Sequence, residues 1–429
     1  MKKIANVFTY SLINVFLFIG CQQLTKRNTI EVSNPTSVKL TDKAISIDRM
    51  QLKGNLDKEL SPYLTASNGD NIAVQLDDLD GDRVWDALFF VADIPANGKS
   101  EYTLEWKKDI QEFSPKTSVR FGKRLSAHIP VKPALNEVLT AQEIPWMLGF
   151  QRYQTDGPTW ENDKVGFRHY LDGRNAKDLF GKKTSAISPE DVGLDENGAT
   201  LDNYHVMEDW GRDILSVGNS LGIGGYGLLA GDELMRLGII AGDTLSNVEK
   251  TSFQIVTEGP VRSVLNYQYS NWKIGSRTYA VEENTTIWPG MYGYQNSVKF
   301  SGLQGDENLV IGLVNIDTEL ALGEIEGNDK YEVLYTHDKQ SYEKEWWVGL
   351  ALIVPRDLYL GSMEAPKTGQ LSNAFLAKLK IENDKPIEYY AIACWELSDQ
   401  GFADKEYFIN YLNDITNQLA VEVIIRISE

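Results

Sequence analysis

Two stretches of this 429-residue chain gather side chains able to move protons or hold an anion. The first, residues 150–183, includes Trp160, Glu161, Arg168, His169, Tyr170 and Arg174. The second reads Asp202-Asn-Tyr-His-Val-Met-Glu-Asp-Trp-Gly-Arg-Asp213. Residues 150–183 carry seven Lys or Arg against five acids, whereas the whole chain has 42 basic and 61 acidic residues and a formal charge of −19. A locally basic stretch in so acidic a chain suits an anionic ligand that must bind against the overall field. The same field argues against nucleic acid or an anionic lipid surface as partner.

Imidazole exchanges protons near neutrality more readily than any other side chain, so His169 and His205 are candidates for acid-base work. His169, between Arg168 and Tyr170, reads either as a hydrogen-bonded strand residue or as a proton carrier. His205 follows a loop near 191–200 and precedes Glu208 and Asp209, which favours a functional role. His128 and His337 have less suggestive neighbours and read as surface or core residues. His205, Glu208 and Asp209 would also serve as a divalent-ion set, but such spacing often occurs without metal, so no cofactor is expected and a divalent metal stands as the alternative.

Three further features invite two readings each. Asp78-Leu-Asp-Gly-Asp-Arg-Val-Trp-Asp86 resembles a calcium loop, yet it lacks a twelfth-position Glu and flanking helices, so a solvated hairpin turn is preferred. The glycines between Gly218 and Gly227 lack the Lys-Ser/Thr of a phosphate loop and read as a tight chain path beside the site. Trp160, Trp210 and Trp288 offer faces that stack on sugar rings, although core packing is the default for any one of ten tryptophans.

The elements that must position these residues are mostly strands. Short β-branched and aromatic runs at 72–76, 87–91, 102–106, 261–269, 278–288, 309–314 and 346–354 alternate with Gly, Asn, Asp and Pro. Their number predicts a mainly β protein: a large antiparallel sandwich with few helices. One helix is legible, capped by Asp404, with Phe408, Leu412, Ile415 and Leu419 on one face, and a last strand follows at 421–427. The divisions expected are a leader at 1–20, a tether at 21–33, a smaller N-terminal β portion at 34–115 and the main sandwich at 116–429. Cys394 lies in an apolar run and reads as a buried, inert thiol.

The leader follows from Lys2 and Lys3 and from an apolar core at 12–19 that is too short to span a bilayer. Gly20 before Cys21 suits cleavage and lipidation at Cys21, although Phe18 is bulkier than the residue usual three positions upstream. The expectation is a lipoprotein held in the outer membrane by its lipid alone and facing the periplasm, since no acidic run follows Cys21.

Several phrases resemble a family of bacterial β-rich proteins, known as a domain of unknown function, found among genes for degrading pectin-like and algal polysaccharides. They are Tyr153-Gln-Thr-Asp-Gly-Pro-Thr-Trp-Glu161, Gly166-Phe-Arg-His-Tyr-Leu-Asp-Gly-Arg-Asn175 and Glu208-Asp-Trp-Gly-Arg-Asp-Ile-Leu-Ser-Val-Gly-Asn-Ser-Leu-Gly222. Gln75-Leu-Asp-Asp-Leu-Asp-Gly-Asp82 and Glu258-Gly-Pro-Val-Arg262 extend the resemblance over most of the chain, whose sandwich would be supersandwich-like. The nearest known activity is ulvan oligosaccharide dehydration, which removes water from a non-reducing-end uronic acid to leave a 4,5-unsaturated residue. The ligand implied is an anionic oligosaccharide of uronic acid and sulfated sugar.

The resemblance brings no residue set with it, so roles follow from the reaction's demands. A cation must neutralise the uronate carboxylate as the C5 proton leaves, and Arg168 and Arg174 are candidates. A base must reach C5 and an acid must protonate the 4-hydroxyl, for which His205 and either Tyr170 or His169 stand, in exchangeable roles. Along a strand, Arg168 and Tyr170 share a face that His169 leaves, which favours Tyr170. Trp160, Glu161, Tyr204 and Trp210 join Arg174 as expected substrate contacts. Two alternatives remain: a polysaccharide lyase, differing only in the leaving group, and a non-catalytic sugar-binding lipoprotein.

Overall fold

The structure is a computed structural model that describes residues 27–52, 60–145, 150–240 and 245–428. Cys21, the leader and the first part of the expected tether lie outside the described residues. The fold is mainly β and antiparallel, as expected. Its centre is a nine-stranded sheet in the order Asn136–Thr140, Val248–Glu258, Ser263–Ile274, Arg277–Ile287, Gly293–Ser301, Ile387–Trp395, Val348–Pro355, Tyr331–Asp338 and Gly323–Ile325.

Side chains alternate between the faces of a strand, so a strand buried on both sides must be apolar throughout. Ile387–Trp395 shows this. Tyr389, Ala391, Ala393 and Trp395 enter one core cluster, while Tyr390, Ile392 and Cys394 enter another. Against the first face pack two five-stranded sheets. One runs Gly211–Asp213, Lys177–Lys182, Gly166–His169, Thr159–Asn162 and Thr117–Arg120; the other runs Glu233–Arg236, Ile223–Ala230, Glu307–Val314, Ala374–Lys380 and Tyr359–Glu364. Against the second face lies the helix Lys405–Ala420, whose Phe408 and Leu412 are fully buried and whose Asp404 carboxylate accepts from the Tyr407 amide. Cys394 is buried there, and loss of solvation raises its thiol well above its ordinary range.

The N-terminal portion differs from expectation at both ends. Residues 28–33, expected as tether, form the strand Asn28–Ser33, because Ile30 and Val32 alternate into a core while Glu31 faces outward. The last strand, Ile424–Ser428, returns across the molecule to pair with it, so the N-terminal sheet contains the chain's C-terminus. That sheet runs Ile424–Ser428, Asn28–Ser33, Lys99–Lys107, Ser61–Ala66 and Asn71–Ile72, and packs on a three-stranded sheet of Leu40–Asp48, Ala87–Ile94 and Val74–Asp77. The division at 33/34 and the assignment of 421–429 to the main sandwich are corrected accordingly.

A buried polar clamp joins this portion to the sandwich. Arg262 Nε donates to Asp77 Oδ2 at 2.7 Å and Thr257 Oγ1 to Asp77 Oδ1 at 2.7 Å. Gln75 Nε2 donates to the Arg262 carbonyl at 2.9 Å, and the Arg262 amide donates back to Gln75 Oε1 at 3.0 Å. The two distant phrases around Gln75 and Arg262 thus meet in space. Asp77 has no solvent exposure, and removing one member of a buried ion pair strands the other. Asp77→Ala is expected to lower unfolding stability by about 3–5 kcal/mol in urea titration.

Candidate functional site

The first five-stranded sheet builds the site. Gly166–His169 and Lys177–Lys182 form a hairpin with Arg168 opposite Asp178, and Tyr170 and Arg174 lie in its connection. Next to Lys177–Lys182 runs Gly211–Asp213, with Asp213 opposite Phe180. Alternation sends Phe167 inward, edge-on to Tyr294 of the central sheet, and turns Arg168 to the opposite face. That outer face is sealed in its turn by Tyr204, Trp210 and Val192, which pack with Phe180, so Arg168 is only 1% exposed.

A buried guanidinium needs counter-charge. Arg168 Nη2 donates to Asp213 Oδ2 at 2.6 Å and also meets the Asp178 carboxylate and the Tyr170 hydroxyl. Tyr170 Oη donates to Asp178 Oδ2 at 2.6 Å, and the Arg168 cation lies over the rings of Tyr170, Phe180 and Tyr204 at 4.3, 5.1 and 5.0 Å. Two carboxylates therefore share one cation. Burial, with repulsion from Asp178, pushes the Asp213 carboxyl up to about 7 against the pull of Arg168. His205 Nδ1 lies 3.6 Å from Asp213 Oδ2. Partial burial and the nearby Arg168 charge lower the His205 pKa, so its imidazole is neutral at pH 7. Burial holds the Tyr170 phenol well above its ordinary range, so it remains a proton donor.

These groups open onto a cleft of about 650 Å³, lined among others by Tyr170, Arg174, His205, Asp213, Arg236 and Tyr342. Arg174 stacks on Tyr170, its Cζ 3.4 Å from the ring centroid, and its Nε donates to Asp172 Oδ2 at 2.8 Å. Gly218 also lines the cleft, and Gly222, at φ +74°, lets the chain pass against the Lys177 backbone, which joins the two five-stranded sheets. The tight path expected of the glycine-rich segment is present.

The structure brings together Tyr170, His205 and Arg174 at the cleft and separates the other expected residues from it. Arg168 stands behind Tyr170 and Asp213, buried and ion-paired through Nη2 to Asp178 and Asp213, and it does not line the cleft, so its expected direct contact with a ligand carboxylate is corrected to a supporting position. His169 faces the central sheet, ring to ring with Tyr267 at 4.6 Å. Its Nε2 donates to Asn175 Oδ1 at 2.8 Å, a direction set by the Asn175 amide, whose Nδ2 donates to the Leu237 carbonyl. It pins the hairpin connection and is no proton carrier for the cleft. Trp160 has no exposed surface, packed on Phe167 and Tyr294, because its cross-strand neighbour Phe167 points into the same core. Glu161 is buried with Lys182 at 2.5 Å and the Ser188 amide at 3.1 Å, tying down the loop after the sheet. Tyr204 donates to Asp202 Oδ1 at 2.9 Å and backs His205, and Trp210 sits edge-on to Phe180. None of these four lines the cleft.

Asp213, Arg236 and Tyr342 were not singled out by sequence reasoning. Asp213 ended a phrase already rich in candidates, and only its register beside Arg168 distinguishes it. Arg236 and Tyr342 arrive from other parts of the chain, Tyr342 held by its amide donating to the Ile214 carbonyl at 2.7 Å.

For metal, Glu208 and Asp209 do not converge with His205 within ligand distance among the described residues. Asp78, Asp80 and Asp86 do converge. Their carboxylates already serve the loop's own backbone: Asp78 Oδ1 accepts from the Gly81 amide at 2.7 Å and Asp86 Oδ2 from the Leu79 amide at 2.7 Å. The segment joins the paired strands Val74–Asp77 and Ala87–Ile94 as a hairpin turn, and its three carboxylates meet within ligand distance.

Fold and site together define an antiparallel β-sandwich protein with an arginine-lined cleft and a His-Asp-Tyr cluster at its wall. The chain belongs to the family described as a domain of unknown function (DUF4861), whose sequence profile matches residues 32–425. An uncharacterized protein, P7, from Formosa agariphila is 25% identical over 282 residues, which cover 62% of this chain and 66% of that protein. Among solved structures, a glycosyl hydrolase family 38 protein from Enterococcus faecalis aligns over 93% of this chain with a TM-score of 0.48 and 9% identity. An alpha-mannosidase from Enterococcus faecalis aligns with a TM-score of 0.47, also at 9% identity. The chain spans slightly less than half of each, 47% and 46%.

Burial lowers the His169 pKa to about 4, against about 6.5 in an unfolded chain. Between these values the unfolded state binds a proton that the native state refuses, so stability rises with pH across that window. It is fully present above about pH 6.5, and roughly 3 kcal/mol is lost by about pH 4. In His169→Gln, equilibrium unfolding should show a pH slope shallower by up to one proton over this window.

Proposed function

We propose that the cleft removes water from a uronic acid at the non-reducing end of an anionic oligosaccharide, giving a 4,5-unsaturated residue. The observation that carries this is the pairing, on one cleft wall, of an imidazole neutral at pH 7 with a phenol held in its protonated form. The resemblance to ulvan oligosaccharide dehydratase supplies the reaction, and the cluster supplies groups of the required kinds. His205 takes the C5 proton. The electron pair of that C–H bond becomes the second C4–C5 bond, the C4–O bond breaks, and Tyr170 protonates the departing hydroxyl so that water leaves.

Asp213 accompanies His205 and stabilises the imidazolium formed when the proton arrives. Arg174 lies over Tyr170 as a cation–π partner, its own charge answered by Asp172 and Asp156. Arg168 acts from behind, fixing the Tyr170 hydroxyl and the Asp213 carboxylate. A longer glycan lying in the same cleft would lose a sugar by the same chemistry, as in a polysaccharide lyase.

With a saturated uronate-ended oligosaccharide, the product should absorb near the ultraviolet edge and weigh one water less, with no sugar lost. A shortened product would establish the lyase instead, and an unchanged ligand that nonetheless binds would leave a sugar-binding protein. His205→Ala should lower kcat by about 10² to 10⁴ fold with little change in binding. The acid limb of the rate should belong to the Asp213–His205 pair. The rate should fall as pH drops through about 7, where Asp213 gains its proton, and fall further as His205 gains its own. Asp213→Asn should move that limb to lower pH.

A further inference from the structure

The three arginines in and behind the cleft differ in how their charge is answered. Arg168 has two carboxylates, and Arg174 is paired with Asp172 at 2.6 Å and Asp156 at 3.1 Å. Arg236 has none within ion-pair distance among the described residues, although it is only 3% exposed and lines the cleft. It is held in place by carbonyls alone. Nη1 donates to Asn219 at 2.8 Å and to Gln370 at 2.9 Å, and Nη2 donates to the Arg174 carbonyl. A guanidinium has five N–H groups, so the Nε–H and one Nη2–H are left over, and Nε is buried without a partner among the described residues. Nε and Nη2 flank the edge of the guanidinium that takes two oxygens of one oxyanion side by side.

We propose that Arg236 is the charge receptor of the cleft, binding the carboxylate of the terminal uronate, and so selects anionic over neutral sugars. Three carbonyl dipoles fix the cation, which limits the ordering cost of binding, and a buried cation without a counter-ion gains most from an incoming anion. Burial lowers the Arg236 pKa to about 10, partly offset by the Asp172 charge, so the side chain is still charged at neutral pH. The arrangement also explains how a chain with 61 acidic residues would attract an anion: the cation sits in a recess beside Arg174, shielded from the outer field.

This assignment rests on the proposed reaction for its choice of ligand, and binding without turnover separates the two. Calorimetry would compare three probes: a saturated uronate-ended disaccharide, its methyl ester, and a sulfated disaccharide lacking uronate. The uronate should bind the wild-type protein about 10- to 100-fold more tightly than the ester, and Arg236→Gln should abolish that preference. Arg236→Lys, which keeps the charge but not the planar fork, should retain part of the preference. If the sulfated sugar alone shows the Arg236-dependent preference, sulfate and not carboxylate is the anion, and the assignment to the uronate is wrong. Equal binding of acid and ester, or a preference that survives Arg236→Gln, would overturn the proposal. Should both variants fail to fold, the Nε–H resonance of Arg236 in the wild-type protein decides: it should move with uronate and stay still with the ester. Uronate-selective binding through Arg236 without formation of an unsaturated product would sink the dehydration and leave this assignment standing.

Discussion

A guanidinium taken wholly out of water must be met by negative charge, and at Arg168 it is met by two carboxylates. Much of the site follows from that excess. Burial, together with repulsion from Asp178 that one cation does not fully offset, lets Asp213 keep hold of a proton into the neutral range. The His205 imidazole lies alongside, kept neutral by partial burial and, next, by the Arg168 charge that opposes its protonation. The Tyr170 hydroxyl is drawn into the same knot. Arg168 therefore touches or influences three groups whose protonation burial chiefly sets, without itself reaching the cleft.

The knot is rigid because strands hold it. Arg168 and Asp178 face each other across one hairpin and Asp213 comes from the next strand, so all three are fixed by backbone pairing. His169 locks the connection that carries Arg174, and Gly222 allows the second five-stranded sheet to close against Lys177. The cleft forms where these two sheets meet, with Arg236 brought in from the far sheet. Behind them, the central sheet supplies a common floor through Tyr267 and Tyr294.

Away from the cleft residues, the first and last strands among the described residues close one sheet, and the Gln75–Asp77–Arg262 contacts join the N-terminal portion to the sandwich. The strands expected from β-branched runs are nearly all present, and the helix begins where Asp404 marks it. Local pattern was enough in those places because the period of burial is written into consecutive residues. It was not enough for Asn28–Ser33, a short polar-apolar alternation whose partners lie at the other end of the chain.

The sequence by itself determined a β-rich chain, the two stretches that carry the site, and the face shared by Arg168 and Tyr170, because composition and alternation are local properties. Only the tertiary structure decided which of those residues meets the cleft. Trp160, Glu161 and His169 carry the right chemistry, yet inward register or a buried ionic partner withdraws them from solvent. Asp213, Arg236 and Tyr342 gain their significance from neighbours far away in the chain. A side chain's charge state depends on what surrounds it, and pairing between distant strands sets those surroundings.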